Sequence, residues 1–207
     1  MKKLETRSFV LTDLQTREES GIGIVEGRPI VYDSPTDIGG YFREIIARKA
    51  LDSTDLTDVR LCMNHDTGYV YARSRRNNPN STMQLIPDDE GMRMRANLDI
   101  EGSPKAQDFY SAVKRGDIDS MSFMFDISDE EWQGLDSDYP TRTITGIGKV
   151  YEVSAVAFPA YKETSISARS QEALESARAA LESAKKQAVK ESLDNDIELL
   201  KAKIKCM

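Results

Sequence analysis

The sequence predicts an α+β, mainly β fold of mixed barrel or sandwich type, followed by a long C-terminal helix. Three observations carry this. Residues 1–170 hold many short runs of alternating apolar and polar side chains, separated by clusters of Gly, Pro, Asn and Asp, the mark of strands joined by turns. No strand-like run alternates with helical segments in the manner of a βαβ repeat. Residues 171–207 contain no Gly, no Pro and no aromatic residue and are rich in Ala, Glu, Lys and Leu, the composition of a helix. The chain thus divides into a β-rich unit, 1–170, and a helical, coiled-coil-like tail, 171–207.

The elements follow in order. Gly21–Tyr32 reads as a strand, a turn at Glu26-Gly27-Arg28-Pro29, and a second strand. Asp33–Gly40 reads as a loop, and Phe42–Leu51 fits a short amphipathic helix. Val59–Asn64 is a strand running into the polar turn His65-Asp66-Thr67-Gly68. Thr82–Ile86 and Gly91–Ile100 form a hairpin across Pro87-Asp88-Asp89-Glu90. Ser103 caps a helix that starts at Pro104 and ends before Gly116, with the proline-first, glycine-after asymmetry of helices. Asp119–Ile127 is a strand, Ser128–Pro140 a polar loop with the only Trp, and Arg142–Phe158 one or two strands. In the tail, Leu174, Ala177, Leu181, Ala184 and Ala188 repeat at heptad spacing, then Val189, Leu193, Ile197, Leu200 and Ile204 follow out of phase. Either a partner-binding helix or a solvated extension fits that pattern.

Composition narrows the chemistry. Lys+Arg total 28 against 35 Asp+Glu, a net charge of −7, which disfavours binding to a phosphate backbone and removes nucleic acid from the expected partners. The tail holds seven acidic and seven basic residues, so the whole negative excess lies in 1–170. One histidine and two cysteines fall short of the four Cys and His ligands of a structural zinc site, so no metal and no cofactor is expected. Two cysteines suit a reducing compartment. The N-terminus lacks the apolar run of a signal peptide, and no stretch nears the roughly 18 apolar residues of a membrane span. A cytosolic chain without membrane contact is expected.

Three segments hold candidate catalytic groups. His65 sits where an apolar strand ends in a polar turn, a place where scaffolds present catalytic groups, and it is the sole imidazole available as a base. A plain surface histidine fits the same local sequence. Ser122 lies between Met121 and Phe123, large neighbours that fix a small hydroxyl in one orientation, as a nucleophile requires. A solvent-facing serine on a half-buried strand is the simpler alternative. Glu152 interrupts the apolar run KVYEVSAVAFPAY, and a buried carboxylate needs a partner. That partner is either an imidazole to be oriented or a cation in an ordinary salt bridge. Asp66 is the rival acid, Cys62 reads as a small core residue, and Arg73, Arg75 and Arg76 form a basic cluster that could meet an oxyanion or simply face solvent.

Taken in order, several motifs resemble the phage prohead (capsid maturation) proteases of the HK97 type. They are Phe42-Arg43-Glu44-Ile45-Ile46, Asn64-His65-Asp66, Asp88-Asp89-Glu90-Gly91-Met92, Val113-Lys114-Arg115-Gly116-Asp117, Met121-Ser122-Phe123-Met124-Phe125, and Glu152-Val153-Ser154-Ala155-Val156 with Phe158-Pro159-Ala160. The resemblance spans roughly residues 5–168, and the chain departs from the pattern at Ser120 and Met124, where smaller residues are usual. That family is similar to herpesvirus assemblins. The resemblance implies a closed β-barrel flanked by short helices, and a serine endopeptidase in which Ser122 attacks, His65 serves as base then acid, and Glu152 holds the imidazole. It further implies action in the host cytoplasm inside the assembling prohead. The implied substrates are the scaffold-like segment of the major capsid protein and the protease itself, with self-association through the tail. A catalytically inactive assembly protein on the same fold, acting through its C-terminal helix, is the alternative.

Overall fold

The computed structural model describes residues 4–10, 14–157 and 171–183. Its strands are β1 (Leu4–Val10), β2 (Gln15–Glu19), β3 (Ile22–Val31), β4 (Thr36–Ile38), β5 (Phe42–Ile46), β6 (Asp58–Met63), β7 (Ala72–Arg75), β8 (Met83–Asp88), β9 (Gly91–Asp99), β10 (Ser120–Gln133) and β11 (Thr141–Val156). Helix α1 (Pro104–Arg115) lies between β9 and β10, and α2 covers 171–183. Among the described residues, no helix is long and apolar enough to cross a membrane.

Two sheets enclose the core. One has seven strands, ordered β1-β10-β11-β5-β4, with β6 also pairing β11 and β7 pairing β6. The other has four, ordered β2-β3-β9-β8. Between them pack Val25, Ile30, Leu61, Met92, Met94, Leu98, Phe109, Met121, Phe123, Phe125, Val150 and Val153, all buried. The closed barrel is therefore corrected: the strands form two sheets that do not close on themselves. The β10–β11 hairpin shifts register repeatedly between Met124 and Glu130, and such bulges bend and twist a ladder. β11 also pairs in parallel at two places, Thr141–Ile144 with β5 and Glu152–Ala155 with β6.

α1 forms as its sequence dictates. The Ser103 hydroxyl accepts the Ala106 N–H at 3.3 Å, and Gly116 ends the helix in the left-handed region at φ 77°. Ala106, Phe109, Tyr110 and Val113 make its buried stripe. Four other expectations change. Phe42–Leu51 is not a helix: β5 buries Phe42, Glu44 and Ile46 at strand periodicity and turns follow it. The 33–40 loop contains β4, which pairs with β5. The turn at Glu26–Pro29 is a bulge within one continuous strand, β3, where register shifts between Gly27 and Ile30 and Pro29 needs no ladder donor. The polar loop after Ile127 begins only past Gln133, because β10 runs on, largely exposed, in register with the more buried start of β11.

The β8–β9 hairpin turns at Asp89-Glu90 and enters β9 at Gly91, whose φ of 147° is all but reserved for glycine, and a Cβ there would stand 2.0 Å from the Ile30 carbonyl oxygen. Gly91→Ala is expected to destabilise the fold by about 3 kcal/mol or more. A thermal melt with an unchanged midpoint would contradict this.

α2 begins against the body of the fold. Leu174 is buried with Ile38 and Phe42, and Trp132 packs edge-on to Phe42 at 5.0 Å. Arg178 donates to the carbonyls of Leu135 at 3.1 Å and Ser137 at 2.8 Å. The first position of the heptad seam thus faces this chain's own sheet. The seam from Ala184 onward lies outside the described residues.

Candidate active site

β6 runs parallel to β11, with Cys62 opposite Ser154 and Met63 opposite Ala155. Just past β6 the chain turns through two left-handed residues, Asn64 at φ 51° and His65 at φ 60°. Residues of β11 and its end hold that turn. The Asn64 N–H donates to the Ala155 carbonyl at 3.0 Å, the Ala157 N–H to Asn64 Oδ1 at 3.0 Å, and the His65 N–H to Ser154 Oγ at 3.2 Å.

The turn aims the imidazole at Glu152. His65 Nδ1 is hydrogen-bonded to Glu152 Oε1, and Glu152 Oε2 accepts the Ser154 hydroxyl at 2.6 Å. Glu152 is buried, whereas the His65 side chain is 25% exposed. His65 Nε2 is buried and has no hydrogen-bond partner among the described residues. The carboxylate therefore meets an imidazole, and the salt-bridge alternative for Glu152 is not what the fold builds. Asp66, the rival acid, instead accepts the Gly68 N–H at 2.9 Å within its own turn.

Ser122 lies on β10, directly opposite Ser154 of β11. Paired residues point to the same side of a sheet, about 5 Å apart. Ser122 is fully buried, so a solvent-facing serine is excluded, and its hydroxyl donates to the Arg7 carbonyl of β1 at 2.8 Å. The fold thus joins His65 to Glu152 and sets Ser122 on the neighbouring strand, and among the described residues Nε2 takes no hydrogen bond.

Arg73, read as a cation for an oxyanion, has a structural partner, and Cys62 is the core residue its sequence context indicates. Arg73 forks onto Asp58 at 2.6 and 2.8 Å and is held as a structural cation. Cys62 is buried, and burial, with Glu152 nearby, pushes its thiol up to about 12. Thiolate is the reactive form, so iodoacetamide at pH 8 is expected to leave Cys62 unmodified in the native protein. Rapid carboxymethylation of the Cys62 peptide, read by mass spectrometry, would contradict this.

Sequence reasoning missed two features. Ser154 stands in the sequence only as part of the Glu152–Val156 motif, and its contact with His65 depends on strand register. The second feature is a buried ionic cluster. Arg7 of β1 donates to Glu44 of β5 through Nη2 at 2.8 Å and through Nε, and through Nη1 to Glu5 at 3.1 Å. Arg142 of β11 donates to Glu44 at 3.3 Å and to Glu130 at 2.8 Å. Glu44 between Phe42 and Ile46 carried the signal, a charge at a buried strand position. Beside the His65 turn, Met63, Asp66, Tyr69, Tyr71, Lys105 and Phe109 line an open cleft of about 400 Å³.

An imidazole tied through Nδ1 to a buried carboxylate, with a serine on the adjoining strand, is the equipment of hydrolases that use a hydroxyl nucleophile. The chain belongs to the caudovirus prohead serine proteases, whose family model matches residues 11–179. It is thus a serine protease of capsid maturation, a class that works within the assembling capsid of a phage. Among solved structures, the bacteriophage T4 capsid assembly protease, gp21, matches at 13% identity and a TM-score of 0.45, covering 76% of this chain and 98% of that one. No curated protein matches.

Proposed function

We propose that this chain cuts the scaffold-like segment of the major capsid protein, and itself, with Ser122 as nucleophile, His65 as general base and then acid, and Glu152 as the group that holds the imidazole. The observation that carries the reading is the His65 Nδ1–Glu152 hydrogen bond, which leaves Nε2 as the nitrogen free to take a proton. The Ser122 hydroxyl turns from the Arg7 carbonyl toward Nε2 and gives up its proton as Oγ attacks the scissile carbonyl. The imidazolium so formed is stabilised by Glu152 and then protonates the departing amine. Water, deprotonated by the same imidazole, releases the acyl-enzyme. In this reading residues 1–170 are the protease unit, and 171–207 serve scaffold contact and self-association.

The test is co-expression with the cognate capsid protein, wild type against Ser122→Ala, read by mass spectrometry. Capsid protein and protease are both shortened only by the wild type. A wild-type protease of unchanged mass beside a cut capsid protein would remove self-cleavage from the reading.

A further inference from the structure

We infer that Ser154 is a positioning residue of this site: its hydroxyl locks the Glu152 carboxylate and the His65 turn into a single arrangement that presents Nε2 to the nucleophile. The inference deepens the assignment of Ser122, His65 and Glu152 and rests on it.

A hydroxyl has one proton to give and two lone pairs to accept with. Ser154 gives its proton to Glu152 Oε2 at 2.6 Å and accepts the His65 main-chain N–H at 3.2 Å. The other carboxylate oxygen meets His65 Nδ1. A single buried side chain therefore contacts the acid directly and the base through its backbone. Without it, Oε2 loses that donor inside a buried site, and the carboxylate is held less firmly against the ring.

The turn supplies the second argument. Two consecutive left-handed residues bearing Cβ atoms are costly, and such a conformation persists only where its surroundings over-determine it. Three hydrogen bonds do so here, to or from Ala155, Ala157 and Ser154. Of the three, only the Ser154 bond also reaches the acid. Ser154 further lies in register with Ser122, between the nucleophile's strand and the histidine turn. Its proton is bonded to Glu152, its oxygen accepts the His65 N–H, and it does not contact Nε2, so its part here is positioning.

The experiment uses full-length Ser154→Ala, Ser154→Cys and Ser154→Thr. Cleavage of the capsid protein gives kcat and KM, and a fluorophosphonate probe labels the nucleophile. Proton NMR follows the Nδ1 proton of the single histidine, whose signal has no competitor. Ser154→Ala and Ser154→Cys are expected to lose kcat by on the order of 10²-fold at nearly constant KM, as slight misplacement does. The Nδ1 proton resonance shifts or broadens in both, Ser154→Thr recovers both properties, and the label stays on Ser122 throughout. Wild-type kcat with an unshifted resonance in Ser154→Ala and Ser154→Cys would reduce Ser154 to packing and overturn the inference, as would label on Ser154. Unfolding of both variants beside an intact Ser154→Thr would also overturn it, assigning the hydroxyl to folding alone. Capsid cleavage by Ser122→Ala is a different failure, that of the underlying assignment.

Discussion

Ser122→Ala is expected to fold, to assemble its β-sheets as the wild type does, and to cut capsid protein slower by on the order of 10⁶-fold. The substitution removes one oxygen from a fully buried position, and with it the hydrogen bond to the Arg7 carbonyl. Its cost to stability is accordingly about 1 kcal/mol. Everything else at the site, including the His65–Glu152 pair, stays as it is. The loss is so large because the remaining groups act only through the nucleophile. An imidazole without a hydroxyl to deprotonate contributes little. Glu152→Gln is expected to retain more activity, with a loss on the order of 10⁴-fold, because it disturbs the orientation of the base rather than the bond-forming atom. The measurement is single-turnover cleavage of capsid protein beside a circular-dichroism melt. Cleavage by a folded Ser122→Ala protein would end the assignment.

Glu44→Gln is expected to lose about 3–5 kcal/mol of folding stability at neutral pH, the usual result of removing one member of a buried ion pair. Glu44 is the shared acceptor of Arg7 and Arg142, three side chains that are all buried. Without its charge, Arg7 keeps Glu5 and Arg142 keeps Glu130, neither of which reaches both guanidiniums. Burial alone would raise the carboxyl's affinity for a proton, yet the two guanidiniums outweigh it and hold Glu44 below its ordinary value. Its contribution is therefore complete above the unfolded carboxylate range, about 4.3 for Glu, and disappears as pH falls through the lower folded value. Urea midpoints at a series of pH values check the sign: wild type and Glu44→Gln differ most at pH 7 and converge in acid. A gap that stays constant, or one below about 1 kcal/mol at pH 7, would show that the cluster contributes little.

What the sequence reveals depends on whether the information is local. The α1 boundaries follow from Ser103, Pro104 and Gly116, whose capping chemistry lies within a few residues of each end. The β8–β9 hairpin was legible for the same reason. Phe42–Leu51 was not, because its apolar residues suit a helix nearly as well as a strand, and only pairing with β4 and β11 decides between them. The stretch of β10 beyond Ile127 was not legible because its side chains are exposed apart from the half-buried Trp132, so it carries no apolar alternation. At the site, His65 and Glu152 stood out by scarcity and by context. Ser122 stood out through motif resemblance, whereas its place opposite Ser154 is a property of register, which no short segment states.

β11 pairs with β5, β6 and β10 and bears both Glu152 and Ser154. It is the last of the described strands to be translated, so, on the proposed assignment of Ser122, His65 and Glu152, a ribosome-bound chain halted before residue 150 lacks the acid that orients the imidazole. On that assignment synthesis itself acts as a timer: the cutting site is complete only once this strand has emerged and docked.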